Sequence, residues 1–475
     1  MTYEPLGPLN GWTWGNGTTT TRTYDTDGKI AAVVSAGTKT YTYDNAFRIT
    51  GIADTSPGAA NWTYGYDALD RITSGTSPSI TRGWTYDANG NRQTETGIAA
   101  STYTIAPASN QITGITGALA RTYAYDAAGN TTSYSTVSAT YNNAGRLKTL
   151  ANGSATETSL YNALGQRIQV SSGPAGTVLY AYDEAGHLLG EYDGTGTLIE
   201  ETVWLGDTPV ATLRPSGSTV AVYYIHSDQL NTPRQVTRPS DNVAMWTWFS
   251  DPFGTDAANP NPAGAGAFAY NLRFPGQIFD GEAGLHYNDN RYYDPATGSY
   301  TTSDPIGLDG GSFSTYGYAD DDPIELVDPW GLWAAPESWE GDAAGSWADG
   351  WLYNIKYRNA QPVPASTEAQ VLCMMNKLGI QLVITGGMEP GHTLASRGGK
   401  HSIGQAADFG ANNNPLVTPG NFMESAMDRA ACECNFTNGG WEPNFIPKAA
   451  KHYHYQNGAK PSNVPKLKCK AGCKK

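Results

Sequence analysis

Between about residue 20 and residue 270, hydrophobic and polar positions alternate over short stretches, and each stretch ends in a Tyr-Asp or Tyr-Asn pair before a turn. The pair recurs about every 20 residues, at Tyr24-Asp25, Tyr43-Asp44, Tyr66-Asp67, Tyr86-Asp87, Tyr125-Asp126, Tyr141-Asn142, Tyr161-Asn162 and Tyr182-Asp183. Thr, Tyr and Ile between the pairs favour strands, and Asn89-Gly90 and Ala128-Gly129 supply the residue with positive φ that a hairpin turn needs. Because one hairpin cannot bury its own face, the pattern predicts that successive hairpins stack into a long sheet.

Composition supports this turn-rich β-structure and limits the alternatives. Gly (55) and Tyr (29) are abundant, and only 16% of residues are charged. A chain of 475 residues is too long for one compact core, so two or more domains are expected. No stretch approaches the roughly 18 to 20 apolar residues of a membrane helix. No signal peptide is visible from Met1, so we expect no membrane span and export by another route.

The repeat resembles the YD repeats of Rhs proteins and of the C subunits of insecticidal toxin complexes, over about residues 20–332. This resemblance implies a mainly β YD-repeat shell of spiralling antiparallel hairpins, which in family members forms a hollow cocoon around a toxin. The repeats here are too few for a complete cocoon, so we expect a fragment or a short orphan member. An ordinary hairpin solenoid without cargo is the alternative.

The resemblance is most specific after residue 270. Its motifs are Arg273–Asp280, Gly284–Asn288, Arg291–Gly298, Ser303–Leu308 and Asp328–Leu332. Together they resemble the Rhs core terminus, where family members cleave their own chain after the final Leu. One departure is Asp321-Asp322-Pro323, where the family usually has Asn-Asn-Pro.

The resemblance implies self-cleavage between Leu332 and Trp333, carried by Arg291, Asp304 and Asp328. Two adjacent carboxylates share a proton, because ionising both would place two negative charges side by side. One then acts as base on water and the other as acid, as in an aspartic protease, while the Arg positions one carboxylate. The alternative is that these Asp-Pro pairs are only turns.

Composition changes at Trp333, which gives three predicted domains: a YD-repeat shell at 1–270, a core terminus at 271–332 and a small α+β domain at 333–475. In the last domain Ser366 caps a predicted helix that ends at Gly379. Residues 381–385 predict a short buried strand, and Pro419 opens a second predicted helix.

Two histidine motifs carry the chemistry of the last domain. The first runs from His401 to Asp408 (HSIGQAAD), and the second is His452-Tyr453-His454. Imidazole and carboxylate groups are zinc ligands, and a catalytic zinc site keeps one position open. Residues two apart in a strand share a face, so His452 and His454 can serve one pocket.

The ordered pair of motifs resembles the zinc D-alanyl-D-alanine peptidases, a group that includes phage endolysins and other murein endopeptidases. The resemblance implies that Zn²⁺ is bound by His401, Asp408 and His454, with His452 as general base or transition-state stabiliser. Two features depart from the family pattern. Gly399 replaces the usual Ser, and the usual Arg after the central strand is absent, so Arg397 is the candidate for holding a substrate carboxylate. A fold without metal, with incidental histidines, is the alternative.

Charge and cysteine distribution leave two questions open. The net charge is −14, yet the segment from Lys448 to Lys475 has eight Lys and no acid. This tail suits an anionic partner or is merely solvated. All five cysteines, Cys373, Cys432, Cys434, Cys469 and Cys473, follow residue 332. They indicate disulfides formed in an oxidising compartment or a four-thiolate zinc site.

Taken together, the sequence predicts a secreted antibacterial Rhs effector whose freed zinc peptidase hydrolyses peptidoglycan stem peptides in the periplasm or cell wall of a target bacterium. The implied partners are the peptidoglycan peptide, a cognate immunity protein and a secretion-system spike or adaptor. A nuclease toxin is the second hypothesis, although no histidine-metal nuclease pattern is present. A non-catalytic module that binds the wall or acts as an adhesin is the third.

Overall fold

The computed structural model describes residues 1–3, 9–172 and 176–336, together with five short strands beyond residue 336. The chain divides into two compact units, Met1–Ala343 and Ala344–Lys475. In the described part of the chain we find no helix with the length and apolar character needed to cross a membrane.

The first unit is dominated by one antiparallel meander in which each strand pairs with the next along the chain. Its 25 strands are β1 Thr2–Tyr3, β2 Leu9–Thr13, β3 Thr19–Tyr24, β4 Ile30–Val34, β5 Thr38–Tyr43, β6 Ile49–Asp54, β7 Trp62–Tyr66, β8 Ile72–Thr76, β9 Thr81–Tyr86, β10 Arg92–Gly97, β11 Ser101–Ile105, β12 Ile112–Gly117, β13 Arg121–Tyr125, β14 Thr131–Tyr134, β15 Val137–Tyr141, β16 Leu147–Asn152, β17 Ala155–Tyr161, β18 Arg167–Ser172, β19 Gly176–Tyr182, β20 Leu188–Asp193, β21 Leu198–Leu205, β22 Thr208–Ser216, β23 Thr219–Ser227, β24 Pro233–Thr237 and β25 Ala244–Thr247. The predicted long sheet of antiparallel hairpins is confirmed.

The tyrosine of each Tyr-Asp pair ties its strand to the start of an earlier one. The Tyr86 hydroxyl donates to the Ile72 carbonyl at 2.8 Å, and the Tyr161 hydroxyl donates to the Leu147 carbonyl at 2.7 Å. The same bond recurs at Tyr43, Tyr66, Tyr125, Tyr141 and Tyr182. A phenylalanine would fill the same space without this bond, which explains why the repeat uses tyrosine.

The aspartate of each pair closes the hairpin turn that follows it. Asp87 Oδ1 accepts the backbone N–H groups of Asn89 and Asn91, both at 2.9 Å. Asp87 Oδ2 accepts the Asn91 side-chain amide at 2.9 Å. Gly90 between them has φ 93°, a backbone conformation that glycine adopts without a steric penalty. One carboxylate therefore satisfies the turn amides that the strand ladder leaves open.

The turn at Asn162 shows why the repeat tolerates asparagine. Asn162 Oδ1 accepts the N–H groups of Leu164 and Gln166, as an aspartate would. Its Nδ2 donates to Gln166 Oε1 at 2.8 Å, so the side-chain bond runs in the opposite direction. Gln166, four residues after Asn162, supplies the acceptor oxygen that the Asn162 side-chain amide requires.

The meander coils so that its first strands pack on its last ones. Trp14, just after β2, stacks on Tyr224 of β23 with ring centroids 5.3 Å apart. Its indole N–H donates to the Val210 carbonyl at 3.2 Å. Arg22 of β3 donates to Asn231 Oδ1 at 2.5 Å. These contacts join the two ends of the coil by side chains.

Residues 248–336 follow the meander and lie against the face that carries the repeat tyrosines. They contain a four-stranded antiparallel sheet, two 3-10 turns and one two-stranded pair: β26 Ile278–Asp280, β27 Leu285–Asn288, β28 Arg291–Asp294, β29 Ser299–Tyr300, η1 Gly307–Gly310, η2 Ala319–Asp321, β30 Leu326–Val327 and β31 Ala335–Pro336. Aromatic side chains of this segment form one core with strand residues such as Leu147 and Leu188. We call residues 248–336 the inner segment.

Buried ion pairs join the inner segment to the meander. Arg167 of β18 donates to Asp280 at 2.6 Å, and Arg82 of β9 lies 3.0 Å from Asp251. Arg167 is almost fully buried, at 1% exposure. Loss of either partner of such a pair would be strongly destabilising, because it would leave an unpaired charge in the interior.

The second unit is described through five strands: β32 Lys356–Tyr357, β33 Val383–Ile384, β34 Ala406–Gly410, β35 Asn438–Glu442 and β36 His452–Gln456. β32 and β33 pair in parallel, and β33 lies within the strand predicted at 381–385. β36 pairs antiparallel with both β34 and β35. The helices predicted after Ser366 and Pro419, and all five cysteines, lie outside the described residues.

Candidate functional site

The structure brings together the three residues implied in self-cleavage. Arg291 opens β28, Asp304 follows β29, and Asp328 follows β30. Arg291 Nη2 lies 3.2 Å from Asp304 Oδ2 and 3.1 Å from Asp328 Oδ2. All three side chains are at least nine-tenths buried. One guanidinium therefore bridges two buried carboxylates, an arrangement in which the carboxylates compete for one positive charge.

The predicted scissile peptide lies directly on this cluster. The backbone N–H groups of Leu332 and Trp333 donate to Asp328 Oδ1 at 2.8 and 3.2 Å. Arg291 Nε donates to the Gly331 carbonyl, and Gly331 has φ 64°, in the left-handed region that favours glycine. The turn at Gly331 thus folds the chain back so that the nitrogen of the Leu332–Trp333 bond faces Asp328.

The other side of the same peptide bond approaches Asp304. A Cβ atom at Gly310 would lie 2.6 Å from Asp304 Oδ2 and 2.7 Å from the Leu332 carbonyl oxygen. The Asp304 carboxylate and the scissile carbonyl therefore flank the same point, which is open because residue 310 has no side chain. Asp328 lies at the nitrogen of the bond, and Asp304 lies on its carbonyl side.

A small polar cavity adjoins the bond. It has a volume of about 10 Å³, and its lining includes Arg291, Asp304, Asp320, Asp328, Leu332 and Trp333. That volume is about the minimum for one water molecule. Hydrolysis needs one water beside the carbonyl carbon, and the cavity offers that space between the two carboxylates.

Burial raises the pKa of Asp328, and the Arg291 charge, the Tyr300 hydroxyl and the Leu332 and Trp333 amides oppose that rise. Burial also raises the pKa of Asp320, and the negative charge of Asp328 raises it further. The site therefore holds carboxyl groups that keep a proton at higher pH than they would in water. Such shifts are typical of acid–base sites, although structural ion pairs produce them as well.

Three residues that contact the site were not predicted from the sequence. The Tyr300 hydroxyl donates to Asp328 Oδ2 at 2.8 Å, and Asn288 Nδ2 donates to the Tyr300 oxygen at 2.7 Å. Gly310 provides the close approach described above. The Gly310-Gly311 pair is a visible sequence signal, whereas Tyr300 and Asn288 have the pattern of ordinary strand residues.

Three positions of the predicted zinc site lie in described strands of the second unit. Asp408 of β34 is directly opposite His454 of β36 in the register. His452 is opposite Gly410 on one side and Glu442 of β35 on the other. Opposite residues in an antiparallel pair, and residues two apart in one strand, share a face of the sheet. Positions 408, 452 and 454 therefore share one face. His401 and Arg397 lie outside the described residues.

Comparison with known proteins identifies a matching family model and several similar proteins. A family model described as Teneurin YD-shell matches residues 55–196. The chain is 33% identical over 194 residues to "Double-stranded DNA deaminase toxin A" of Burkholderia cenocepacia (strain H111), which covers 40% of this chain and 12% of that protein. It is 37% identical over 118 residues to "Toxin protein Tse5" of Pseudomonas aeruginosa, covering 25% and 8%. It is 34% identical over 149 residues to "Probable deoxyribonuclease RhsA" of Dickeya dadantii (strain 3937), covering 30% and 10%.

These curated relatives are much longer than the stretches they share with this chain, which spans 8% to 12% of their length. Among solved structures, the crystal structure of TcdB2-TccC3 matches with a TM-score of 0.56 and 18% identity, over 70% of this chain and 19% of that one. At that identity the likeness concerns the fold alone. The family model over residues 55–196, the relatives and the continuous meander agree that this part of the chain is similar to YD-repeat shells of Rhs proteins and related toxins.

Proposed function

We propose that the shell cleaves its own chain between Leu332 and Trp333. The observation that carries the proposal is the hydrogen bond from the Trp333 N–H to Asp328 Oδ1 at 3.2 Å, within a cluster that also holds Arg291 and Asp304. A buried carboxylate fixed on the nitrogen of one particular peptide bond is suited to protonate that nitrogen as it leaves.

The two carboxyl groups share one proton in this reaction. A water in the adjacent cavity attacks the Leu332 carbonyl carbon and gives a proton to the ionised carboxylate of Asp304. The protonated carboxyl group of Asp328 delivers its proton to the Trp333 nitrogen, and the carbon–nitrogen bond breaks. The products are a carboxylate at Leu332 and an amine at Trp333, so atoms and protons balance. Arg291 holds both carboxylates in place throughout.

Conservative carboxylate variants test self-cleavage directly. The wild-type chain should give two bands on a denaturing gel, with a new amino terminus at Trp333. Asp304→Asn and Asp328→Asn should each give one band at full length, because an amide neither accepts nor carries the shared proton. Asp309→Asn, at an exposed position outside the cavity, is the matched control and should cut normally. An intact wild-type chain after prolonged incubation would contradict the proposal.

We further propose that the chain is a secreted polymorphic toxin whose released part acts on a target bacterium. Its relatives include proteins named as toxins, and the shell resembles Rhs proteins. The released residues 333–475 would then be the toxin, with a cognate immunity protein and a secretion-system spike or adaptor as partners.

For the released part, a zinc peptidase acting on peptidoglycan stem peptides fits the residues best. His401, Asp408 and His454 would hold the zinc, and the register of β34 and β36 supports this because Asp408 and His454 occupy opposite positions. A set of two imidazoles and one carboxylate suits Zn²⁺. The metal would supply Lewis acidity at the peptide carbonyl. His452 would move protons from its position on the same face, and Arg397 would hold a substrate carboxylate.

A nuclease toxin is the second candidate. Its specific support is that two relatives are named as a DNA deaminase toxin and a probable deoxyribonuclease, and that the chain ends in a basic tail. The similarity to those relatives leaves the toxin activity of this chain open, because they are matched over at most 12% of their length.

Compartment-specific expression separates the candidates. The full chain is produced in a sensitive bacterium with and without an export signal, beside an Asp408→Ala control. A wall hydrolase should kill only after export, since peptidoglycan is absent from the cytoplasm, and purified muropeptides should be cut by the self-cleaved chain. Equal killing without export would contradict the wall hydrolase and favour the nuclease. Bound zinc without any hydrolysis would favour a non-catalytic wall-binding module.

A further inference from the structure

The buried residues around Asp328 include a chain of hydrogen bonds that ends on its carboxylate. Asn288 Nδ2 donates to the Tyr300 oxygen at 2.7 Å and to the Asp328 backbone carbonyl at 2.8 Å. The Tyr300 hydroxyl in turn donates to Asp328 Oδ2 at 2.8 Å. Asn288 is fully buried at 0% exposure, and Tyr300 is 3% exposed. Asn288 thus fixes the direction in which the Tyr300 proton points.

The ring of Tyr300 has a second role in the same place. The Arg291 guanidinium lies over it, 3.7 Å from the ring centroid. This cation–π contact holds the guanidinium over the ring face, in the position from which it reaches both Asp304 and Asp328. Tyr300 therefore contacts Asp328 through its hydroxyl and Arg291 through its face.

These contacts divide the two oxygens of Asp328 between two tasks. Oδ2 accepts Arg291 and Tyr300, whereas Oδ1 accepts the amides of Leu332 and Trp333. With Oδ2 occupied by two donors, the oxygen that faces the scissile nitrogen is Oδ1. A carboxylate that lost the Tyr300 bond could rotate, and either oxygen could then face the peptide.

We propose that Tyr300, held by Asn288, is a positioning residue that presents Asp328 Oδ1 to the nitrogen of the Leu332–Trp333 bond. This inference rests on the proposed self-cleavage and adds to it two residues outside the Arg291, Asp304 and Asp328 trio. The hydroxyl bond also stabilises the ionised carboxylate of Asp328, because it is made to a negatively charged acceptor. Without that bond, Asp328 should keep its proton for the leaving nitrogen up to a higher pH.

Several charged and titratable groups surround Asp328 among the residues that the structure describes. They are Arg291 and Asp289 at the β27–β28 turn, Tyr300 of β29, Asp304 after it, and Tyr318 and Asp320 at η2. Only Arg291 among them is cationic. Removing the Tyr300 hydroxyl leaves this set of charges unchanged, so the change in Asp328 is attributable to one lost hydrogen bond.

The test is the pH dependence of cutting in the full chain. The chain is made in a cell-free system with a short labelled pulse and shifted into buffers of about pH 4 to pH 9. The cut fraction is then followed on denaturing gels, and the alkaline limb reports the ionisation of the general acid, Asp328. Tyr300→Phe keeps the ring beneath Arg291 and loses only the hydroxyl. Its maximal rate should be roughly 10-fold lower because Asp328 is less well positioned, and its alkaline limb should move upward by about one pH unit, as expected for the loss of one bond to a charged group.

Tyr293→Phe is the matched control. Tyr293 is equally buried and lies beside Tyr300, with ring centroids 6.1 Å apart, but its hydroxyl donates to the Phe253 carbonyl at 2.8 Å. It should keep the wild-type alkaline limb. Asn288→Ala should shift the limb in the same direction as Tyr300→Phe, by a smaller amount, because the hydroxyl remains but is no longer fixed. Urea unfolding of each uncut chain confirms that the shell is folded.

The outcomes separate the two proposals. Cutting by Tyr300→Phe at the wild-type rate and pH dependence would overturn the positioning role and leave self-cleavage standing. The same slowing in Tyr300→Phe and Tyr293→Phe, without a shift of the limb, would reduce Tyr300 to a packing residue and also overturn it. A wild-type chain that never cuts would remove the proposed self-cleavage and this inference together.

Discussion

The backbone amide of Trp333 donates to the Asp328 carboxylate at 3.2 Å, so the nitrogen of the predicted scissile bond is held by a predicted catalytic group before any chemistry occurs. The turn at Gly331 and the buried ion pair with Arg291 produce this contact locally. Positioning of this kind lowers the entropic cost of reaching the reactive geometry. In the proposed self-cleavage, this geometry would hold the reacting peptide bond in place on the folded shell.

Gly310 should be essential for cutting. Its missing side chain leaves the space between Asp304 Oδ2 and the Leu332 carbonyl, and an added Cβ would lie 2.6 and 2.7 Å from them. Gly310→Ala should therefore displace one of these groups and slow self-cleavage by roughly 100-fold, in line with the effect of a misplacement of about 1 Å. Time courses on denaturing gels measure the rate.

The control is Gly281→Ala, because a Cβ there would meet nothing nearer than 3.6 Å. That variant should cut at the wild-type rate. Normal cutting by Gly310→Ala would show that the carbonyl is not confined between Asp304 and the 3-10 turn.

The repeat tyrosines should stabilise the shell through their hydroxyls. In Tyr161→Phe, the Leu147 carbonyl loses its 2.7 Å hydrogen bond, and we expect the free energy of unfolding to fall by about 1 kcal/mol. Urea unfolding followed by tryptophan fluorescence measures the change.

Tyr134→Phe is the comparison, since Tyr134 is also buried but its hydroxyl has no hydrogen-bond partner among the described residues. Removing an unsatisfied buried hydroxyl should leave stability unchanged or raise it. Unchanged stability in Tyr161→Phe would mean that the aromatic ring, and not the hydroxyl, determines the use of tyrosine.

The sequence predicted the meander well because each repeat contains the residues that form its own strands and turn. The strand residues, the Tyr-Asp pair and the glycine turn lie within about 20 residues, and the hydrogen bonds by which Asp87 closes its turn all lie within residues 87–91. The resemblance to Rhs proteins also implied that Arg291, Asp304 and Asp328 act together, and the structure places them within contact distance of one another.

Contacts between distant segments could not be predicted in this way. Arg167 pairs with Asp280, 113 positions later, and no local pattern links a strand arginine to one particular carboxylate. The role of Tyr300 depends on which side chains surround its hydroxyl after folding. In sequence Tyr300 is indistinguishable from the many other tyrosines that lie in strands. Packing of the inner segment on the meander therefore had to come from the structure.

Stability should fall as the pH rises because of Asp321. Its carboxyl group is 6% exposed, and burial raises its pKa to about 8, although Arg92 and Arg71 oppose the rise. In the unfolded chain an aspartate has a pKa near 4. Between about pH 4 and pH 8 the folded state therefore binds the extra proton, and stability decreases as the pH increases through this window.

Asp321→Asn should weaken this dependence, because the amide stays neutral, while other buried carboxyl groups such as Asp289, whose pKa burial raises to about 7, keep their contribution. Melting temperatures at about pH 5 and pH 8 measure it, and the variant should gain at least about 1 kcal/mol over the wild type at the higher pH. Asp309→Asn, at an exposed position, should keep the wild-type slope. Parallel slopes for Asp321→Asn and wild type would mean that Asp321 is already ionised at neutral pH. The related Rhs pattern has asparagine at this position, which agrees with a cost for the carboxylate.

The histidines of the second unit should fall into two functional classes. If His401, Asp408 and His454 hold zinc, replacing any of them with Ala should remove the metal and the activity together, because a site with three protein ligands has little redundancy. His452→Ala should keep the zinc and lose activity by roughly 10² to 10⁴-fold, as for a removed acid–base group. Elemental analysis of the full, self-cleaved chain gives the metal content, and hydrolysis of muropeptides gives the activity. His392→Ala, outside both motifs, is the control and should retain both zinc and activity.

Loss of zinc in His452→Ala would reverse the assignment, making position 452 a ligand. Because position 452 lies opposite Glu442 in the register, Glu442 would then be the candidate for proton transfer.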